Sequence, residues 1–96
     1  MSEIVRMKSV EPILYGVLKI AWLDGYEGLV DLRPVLAERQ MFEFLRNSRE
    51  RFNEVKLEEY GHTVYWVDDE GDEIDLGSDS LRRRAERQAE ILRLAS

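Results

Sequence analysis

The sequence contains no cysteine. Disulfides and thiolate metal clusters are therefore excluded, and a reducing cytoplasm is the natural home. It has one histidine, His62, too few for a zinc site of the usual nitrogen and sulfur kind. It has no glycine-rich phosphate loop. Uncharged runs such as Pro12–Leu18 stop far short of the roughly 20 residues a membrane span needs. The start, Met1-Ser2-Glu3, lacks the basic and apolar regions of a signal peptide. A basic excess is missing too. The formal net charge is −6, which argues against DNA or RNA as a partner of this chain alone.

What remains is an ordinary globular composition, with 44 % hydrophobic and 35 % charged residues. Ninety-six residues are expected to form one domain with a modest core. The charge is uneven. Glu58 to Asp79 holds nine acids and no lysine or arginine; Arg82 to Arg93 holds five arginines against two glutamates. An acidic block followed by a basic helix invites internal pairing or a basic partner.

Residues 4–76 read as strands and short helical turns. Ile4 to Val10 alternates loosely, and Pro12 should break that strand or confine it to an edge. Asp24-Gly25 signals a hairpin between Leu14–Leu23 and Tyr26–Leu32. A two-residue turn would pair Leu18 with Asp31 and mix the faces. A three-residue loop, Leu23-Asp24-Gly25 with Gly25 left-handed, pairs Trp22 with Tyr26 and Leu18 with Val30. Only that register gathers Leu18, Ile20, Trp22, Tyr26, Val30 and Leu32 on one side, so the bulged loop is expected. Pro34 suits the first position of a helical turn through Val35-Leu36. Phe42 and Leu45 suggest another turn, and Asn47-Ser48 a cap for a third carrying Phe52. Val55 and Leu57, then Val64 and Trp66, alternate across a turn at Tyr60-Gly61, a second hairpin. Ile74 and Leu76 make a short strand. Ser78-Asp79-Ser80 is a dense N-cap signal for a helix over about 79–95, with Leu81, Ala85, Ala89 and Leu92 on its apolar side. The sum is α+β: a small antiparallel sheet built from hairpins, helical turns in the middle and one C-terminal amphipathic helix.

The stretch VDDEGDEIDL, residues 67–76, packs six acids around Gly71. A calcium loop of the EF-hand type needs glycine sixth and a bidentate glutamate twelfth. With Gly71 sixth, position one falls on Trp66 and position twelve on Gly77, so the spacing fails. A solvated turn between two strands fits better, with acids keeping the edge soluble. No metal and no cofactor are expected. His62 follows Gly61 in a turn and reads as a surface residue. Ser78 and Ser80 are assigned to capping rather than to a nucleophile beside it. Trp22 and Trp66 sit on the apolar phase of their strands and read as core. Arg82-Arg83-Arg84 spread over about 300° of a helix and form no stripe; pairs such as Arg83–Glu86 and Arg87–Glu90 are expected instead. Paired acids such as Asp72 and Asp75 have nothing convergent to make them catalytic.

A set of residues in fixed order is more informative than any single motif. It runs Asp24-Gly25, Val30-Asp31-Leu32-Arg33-Pro34, Phe42-Glu43-Phe44-Leu45, Gly61-His62-Thr63, Trp66, Ile74-Asp75-Leu76-Gly77, then Asp79 and Leu81. In this order it resembles the bacterial family catalogued as domain of unknown function 2442, from about Ile4 to Gln88. The resemblance implies a small α+β domain with no known enzyme activity and no established catalytic residues. It also implies a link to regulation. Some members continue into a helix-turn-helix domain, here expected to be absent because the chain stops at Ser96. Others are predicted antitoxins encoded beside a small toxin-like partner. The segment between Trp66 and Ile74 is longer and more acidic than that family's usual turn.

The leading expectation is a non-enzymatic protein-interaction or regulatory module, antitoxin-like, with a small basic protein as partner. Asp68, Asp69, Glu70, Asp72 and Glu73 are the candidate partner surface. The alternative is a regulatory domain sensing a small ligand or metal, with a pocket near His62, Trp66 and Asp75. The last turn of the helix is apolar on more than one side, so Ile91, Leu92 and Leu94 are candidates for self-association as a homodimer.

Overall fold

A computed structural model describes residues 5–95. Three strands come first: β1 (Met7–Leu14), β2 (Val17–Trp22) and β3 (Glu27–Asp31). Helix α1 (Arg33–Glu38), a 3-10 turn (Gln40–Leu45) and α2 (Arg49–Phe52) follow. Then come β4 (Lys56–Leu57), β5 (Thr63–Val67), β6 (Glu73–Gly77) and α3 (Ser78–Ala95). The strands form two antiparallel three-stranded sheets, β1-β2-β3 and β4-β5-β6, rather than one. The helical segment between them separates the hairpins. The class is α+β, as the residue pattern implies.

The first hairpin takes the bulged register. Leu18 pairs with Val30 and Ala21 with Glu27. The Trp22 amide donates to the Tyr26 carbonyl at 2.8 Å, and Gly25 closes the three-residue loop at φ +94°, where a side chain would be strained. The result is the expected apolar face. Leu18, Ile20, Trp22 and Val30 are each no more than 1 % exposed, and Tyr26 is half-buried. Pro12 does not end β1, which runs on to Leu14. It sits on the outer strand of its sheet, between register shifts, where its missing N–H costs no ladder bond. Ile4, the start of the expected first strand, lies outside the described residues.

The middle segment is a set of short turns that each deliver one large side chain. Pro34 opens α1 and buries Val35 and Leu36. The 3-10 turn buries Phe42 and Leu45. The Ser48 hydroxyl accepts from the Arg51 amide at 3.2 Å and caps α2, which buries Phe52. These rings meet Trp66. Phe42 lies edge-on to it at 5.9 Å, Phe52 is tilted by 32° against it at 5.6 Å, and the Trp66 indole donates to the Phe52 carbonyl at 2.9 Å. Trp66 is 1 % exposed, so it is core.

Two of the hydrogen-bonded contacts that join the halves run through single residues. The Met7 amide donates to the Gly61 carbonyl at 2.8 Å, and a Cβ on Gly61 would collide with the Met7 carbonyl oxygen. Ser78 makes the second. Its hydroxyl accepts from the Trp22 indole at 3.0 Å and donates to the Val5 carbonyl. This corrects the capping role expected of Ser78: the side chain is buried, and its bonds run to the first sheet and its lead-in.

Helix α3 lies along β3 but buries only its first half. Leu81 and Ala85 are fully buried, the Gln88 side chain accepts from the Asp31 amide at 3.1 Å, and Ala89 and Leu92 are exposed. The reason is length. Eighteen helical residues span about 27 Å, whereas the five residues of β3 span about 17 Å. The helix outruns its support.

Candidate functional site

The acidic stretch is a structured turn between β5 and β6. One Asp68 carboxylate oxygen accepts from the amides of Glu70 and Asp72, both at 2.9 Å. The Asp68 backbone closes the same turn with Asp72 and Gly71. Gly71 sits at the tip with φ +85°. The five carboxylates of the candidate surface therefore do different work. Asp68 holds the backbone. Asp69 pairs with Arg51 at 2.6 Å, and Arg51 lies 5.2 Å over the Phe44 ring. Glu70, Asp72 and Glu73 are exposed and make no ion pair among the described residues.

Beside the turn runs a groove of about 460 Å³. Met41, Phe44 and Ile74 supply its apolar lining, and Glu43, Asp68, Asp69 and Glu70 its acidic rim. The sequence shows why the 3-10 turn serves both core and groove. At three residues per turn, Phe42 and Leu45 share one side and face the core, while Met41 and Phe44 share another. Met41 is 50 % exposed. Sequence reasoning found the acids but missed Met41, Phe44 and Arg51. The repeat of apolar pairs three apart was the available signal.

The three residues proposed for a ligand pocket do not converge. Trp66 pairs with Ile74 on the buried face of β5–β6. Asp75 pairs with Tyr65 and so projects from the other face. His62 is exposed in the β4–β5 turn, 3.7 Å from Glu58 and stacked near Tyr60. The Glu58 carboxylate accepts from the Tyr60 and His62 amides at 2.8 and 2.9 Å, and these bonds lower its pKa below the ordinary glutamate value. Among the described residues no group of three or more histidine, aspartate or glutamate side chains is placed to hold a metal ion.

The basic segment also rearranges. Arg82 stacks over Tyr26 at 4.2 Å and Trp22 at 5.2 Å and pairs with Asp24 and Glu86. That hydrogen bond from Arg82, with the Tyr26 amide, lowers the Asp24 pKa. Arg83 pairs with Asp79 rather than Glu86. Arg83, Arg84 and Arg87 line one surface groove with Ser80, Arg87 lying three and four residues beyond the adjacent Arg84 and Arg83. Beyond them Ile91, Leu92 and Leu94 are 57 %, 59 % and 74 % exposed.

Comparison with known families bears on the whole of this arrangement. The family model described as "Protein of unknown function (DUF2442)" matches residues 7–87, from the first strand into α3. The chain belongs to the DUF2442 family. The match takes in the acidic turn, the groove and the arginines of α3 up to Arg87, and leaves Ile91, Leu92 and Leu94 outside it. No curated protein and no solved structure matches the chain. Among the described residues no helix of this DUF2442 chain is long and apolar enough to cross a membrane.

Proposed function

We propose that this chain is a non-enzymatic interaction module of the cytoplasm. In this reading the β5–β6 turn and its adjoining groove receive a small basic protein, the relation of an antitoxin to its partner. One observation carries the reading: an apolar lining of exposed Met41 and half-buried Phe44 and Ile74 adjoins the carboxylates of Glu43, Asp68, Asp69 and Glu70. Apolar contact supplies affinity, and the surrounding charge steers a basic partner and speeds its approach. The same charge repels nucleic-acid phosphates.

The test is capture of basic proteins from the native host. The wild type is compared with a Glu70→Ser/Asp72→Ser/Glu73→Ser variant. Asp68 is spared because it holds the turn. The expected result is one basic partner, bound by the wild type, weakened in the variant and weakened again between about 50 and 500 mM salt. Equal capture by both proteins, or submicromolar binding of duplex DNA at physiological salt, counts against it.

A further inference from the structure

The acidic groove has a complement on this same chain. From Arg84 onward, Arg84, Arg87, Ile91 and Leu94 fall within about 80° of arc on α3. Among the described residues Arg84 and Arg87 make no salt bridge, and Ile91 and Leu94 are more than half exposed. The groove presents the opposite pattern, with Met41 and Phe44 as apolar lining and Glu43 and Glu70 on the rim. Apolar groups would meet apolar groups, and two arginines would meet carboxylates. A molecule's own helix does not supply this contact. α3 is anchored by Leu81 and Ala85 and contains no proline or glycine at which to turn back.

We propose that the C-terminal half of α3 docks into the acidic groove of a second copy of this chain. Two such contacts, exchanged reciprocally, close a two-fold dimer and leave neither apolar surface in water. The proposal rests on the reading that this groove accepts a basic, apolar segment, and it names that segment. It also accounts for a helix that continues for two turns past its own sheet.

Sedimentation and light scattering across a concentration series test it, on the wild type and two full-length variants. The helix variant is Ile91→Asp/Leu94→Asp. The groove variant is Met41→Lys/Glu70→Lys. All four sites are exposed, and a native-like circular-dichroism spectrum with a cooperative melt verifies that each variant folds. The expected result is a wild-type dimer whose dissociation constant rises at least about tenfold between about 50 and 500 mM salt. Each variant alone should be monomeric. An equimolar mixture should associate more weakly than the wild type, because the groove of one variant and the helix of the other leave one of the two contacts intact. A monomeric wild type overturns the inference and leaves the basic-partner reading to its own capture experiment. A groove variant that still dimerises assigns the contact to α3 against α3 and also overturns it.

Discussion

Replacing Ser78 with alanine removes one oxygen and leaves two polar groups without their partner. The Trp22 indole N–H loses its acceptor, and the Val5 carbonyl loses its donor. Trp22 is 1 % exposed, so water cannot replace the hydroxyl without disturbing the core. A buried group left unsatisfied costs about 1–3 kcal/mol. With Val5 only half-buried, the expected loss for Ser78→Ala is about 2–4 kcal/mol, against about 1 kcal/mol for a lost helix cap. That is a large share of the stability of a domain this size, about 5–14 kcal/mol. Urea unfolding followed by circular dichroism measures it. Ser80→Ala is the control: its side chain makes no bond among the described residues and should change stability by no more than about 0.5 kcal/mol. The decisive measurement is a double-mutant cycle with Trp22→Phe. Without the indole N–H, removing the Ser78 hydroxyl leaves one orphan instead of two, so the loss in the double variant should fall short of the sum of the two single losses by at least about 1 kcal/mol. Additivity within about 0.3–0.5 kcal/mol would refute the bridge and return Ser78 to a capping role.

Trp66→Ala should destabilise by about 3–5 kcal/mol, the range for truncating a buried large aromatic, because it empties the space between Phe42 and Phe52 and removes the indole hydrogen bond to the Phe52 carbonyl, which keeps only the Val55 amide as donor. A loss near zero in urea unfolding would remove Trp66 from the core. Glu58 gives a pH prediction. Its folded pKa is lowered, first by the Tyr60 amide and then by that of His62, so its ionised form stabilises the fold. That contribution is fully present above the unfolded value and is lost as pH falls through the folded one. The stability gap between wild type and Glu58→Ala should therefore be full at about pH 7 and close below about pH 4. A gap that is constant from about pH 7 to pH 3 refutes the assignment.

These predictions separate what a sequence can state from what it cannot. The β2–β3 register was legible because parity decides it: moving one strand by a residue would send Leu18 and Val30 to opposite faces. Parity also argues against a pocket of His62, Trp66 and Asp75. Once Trp66 pairs with Ile74, Asp75 must face the other way. That pairing depends on a turn whose length is set by Asp68 bonding backward from Asp72, a local detail that acidic composition alone does not specify. Helical periodicity identified Leu81, Ala85, Ala89 and Leu92 as one side. It says nothing of where the supporting strand ends, so the exposed Ala89 and Leu92 were read as buried. Ser78 was misread for a related reason. Capping statistics look a few residues ahead, and its true partner, Trp22, is 56 residues back.

In the proposed interaction the acidic turn contributes its bracing as well as its charge. Six acids in ten residues would, in a loose loop, repel one another and sample many conformations. An association must overcome the entropy of ordering such groups, about 0.5–1.5 kcal/mol for each immobilised long side chain. Here the backbone is already ordered. Asp68 ties down two amides, the turn is closed by main-chain bonds, and Arg51 bridges Asp69 to the Phe44 wall of the groove. Two carboxylates are thus spent on holding shape, and Glu70, Asp72 and Glu73 remain outward on a fixed frame. A turn that served solubility alone would need none of this bracing, since mobile acids solvate an edge equally well. Bracing matters when the carboxylates must meet cations at fixed positions, beside an apolar lining that is fixed as well. The bracing supports the proposed recognition role, and under that proposal the specificity rests with the three unpaired acids rather than with the two that hold the turn.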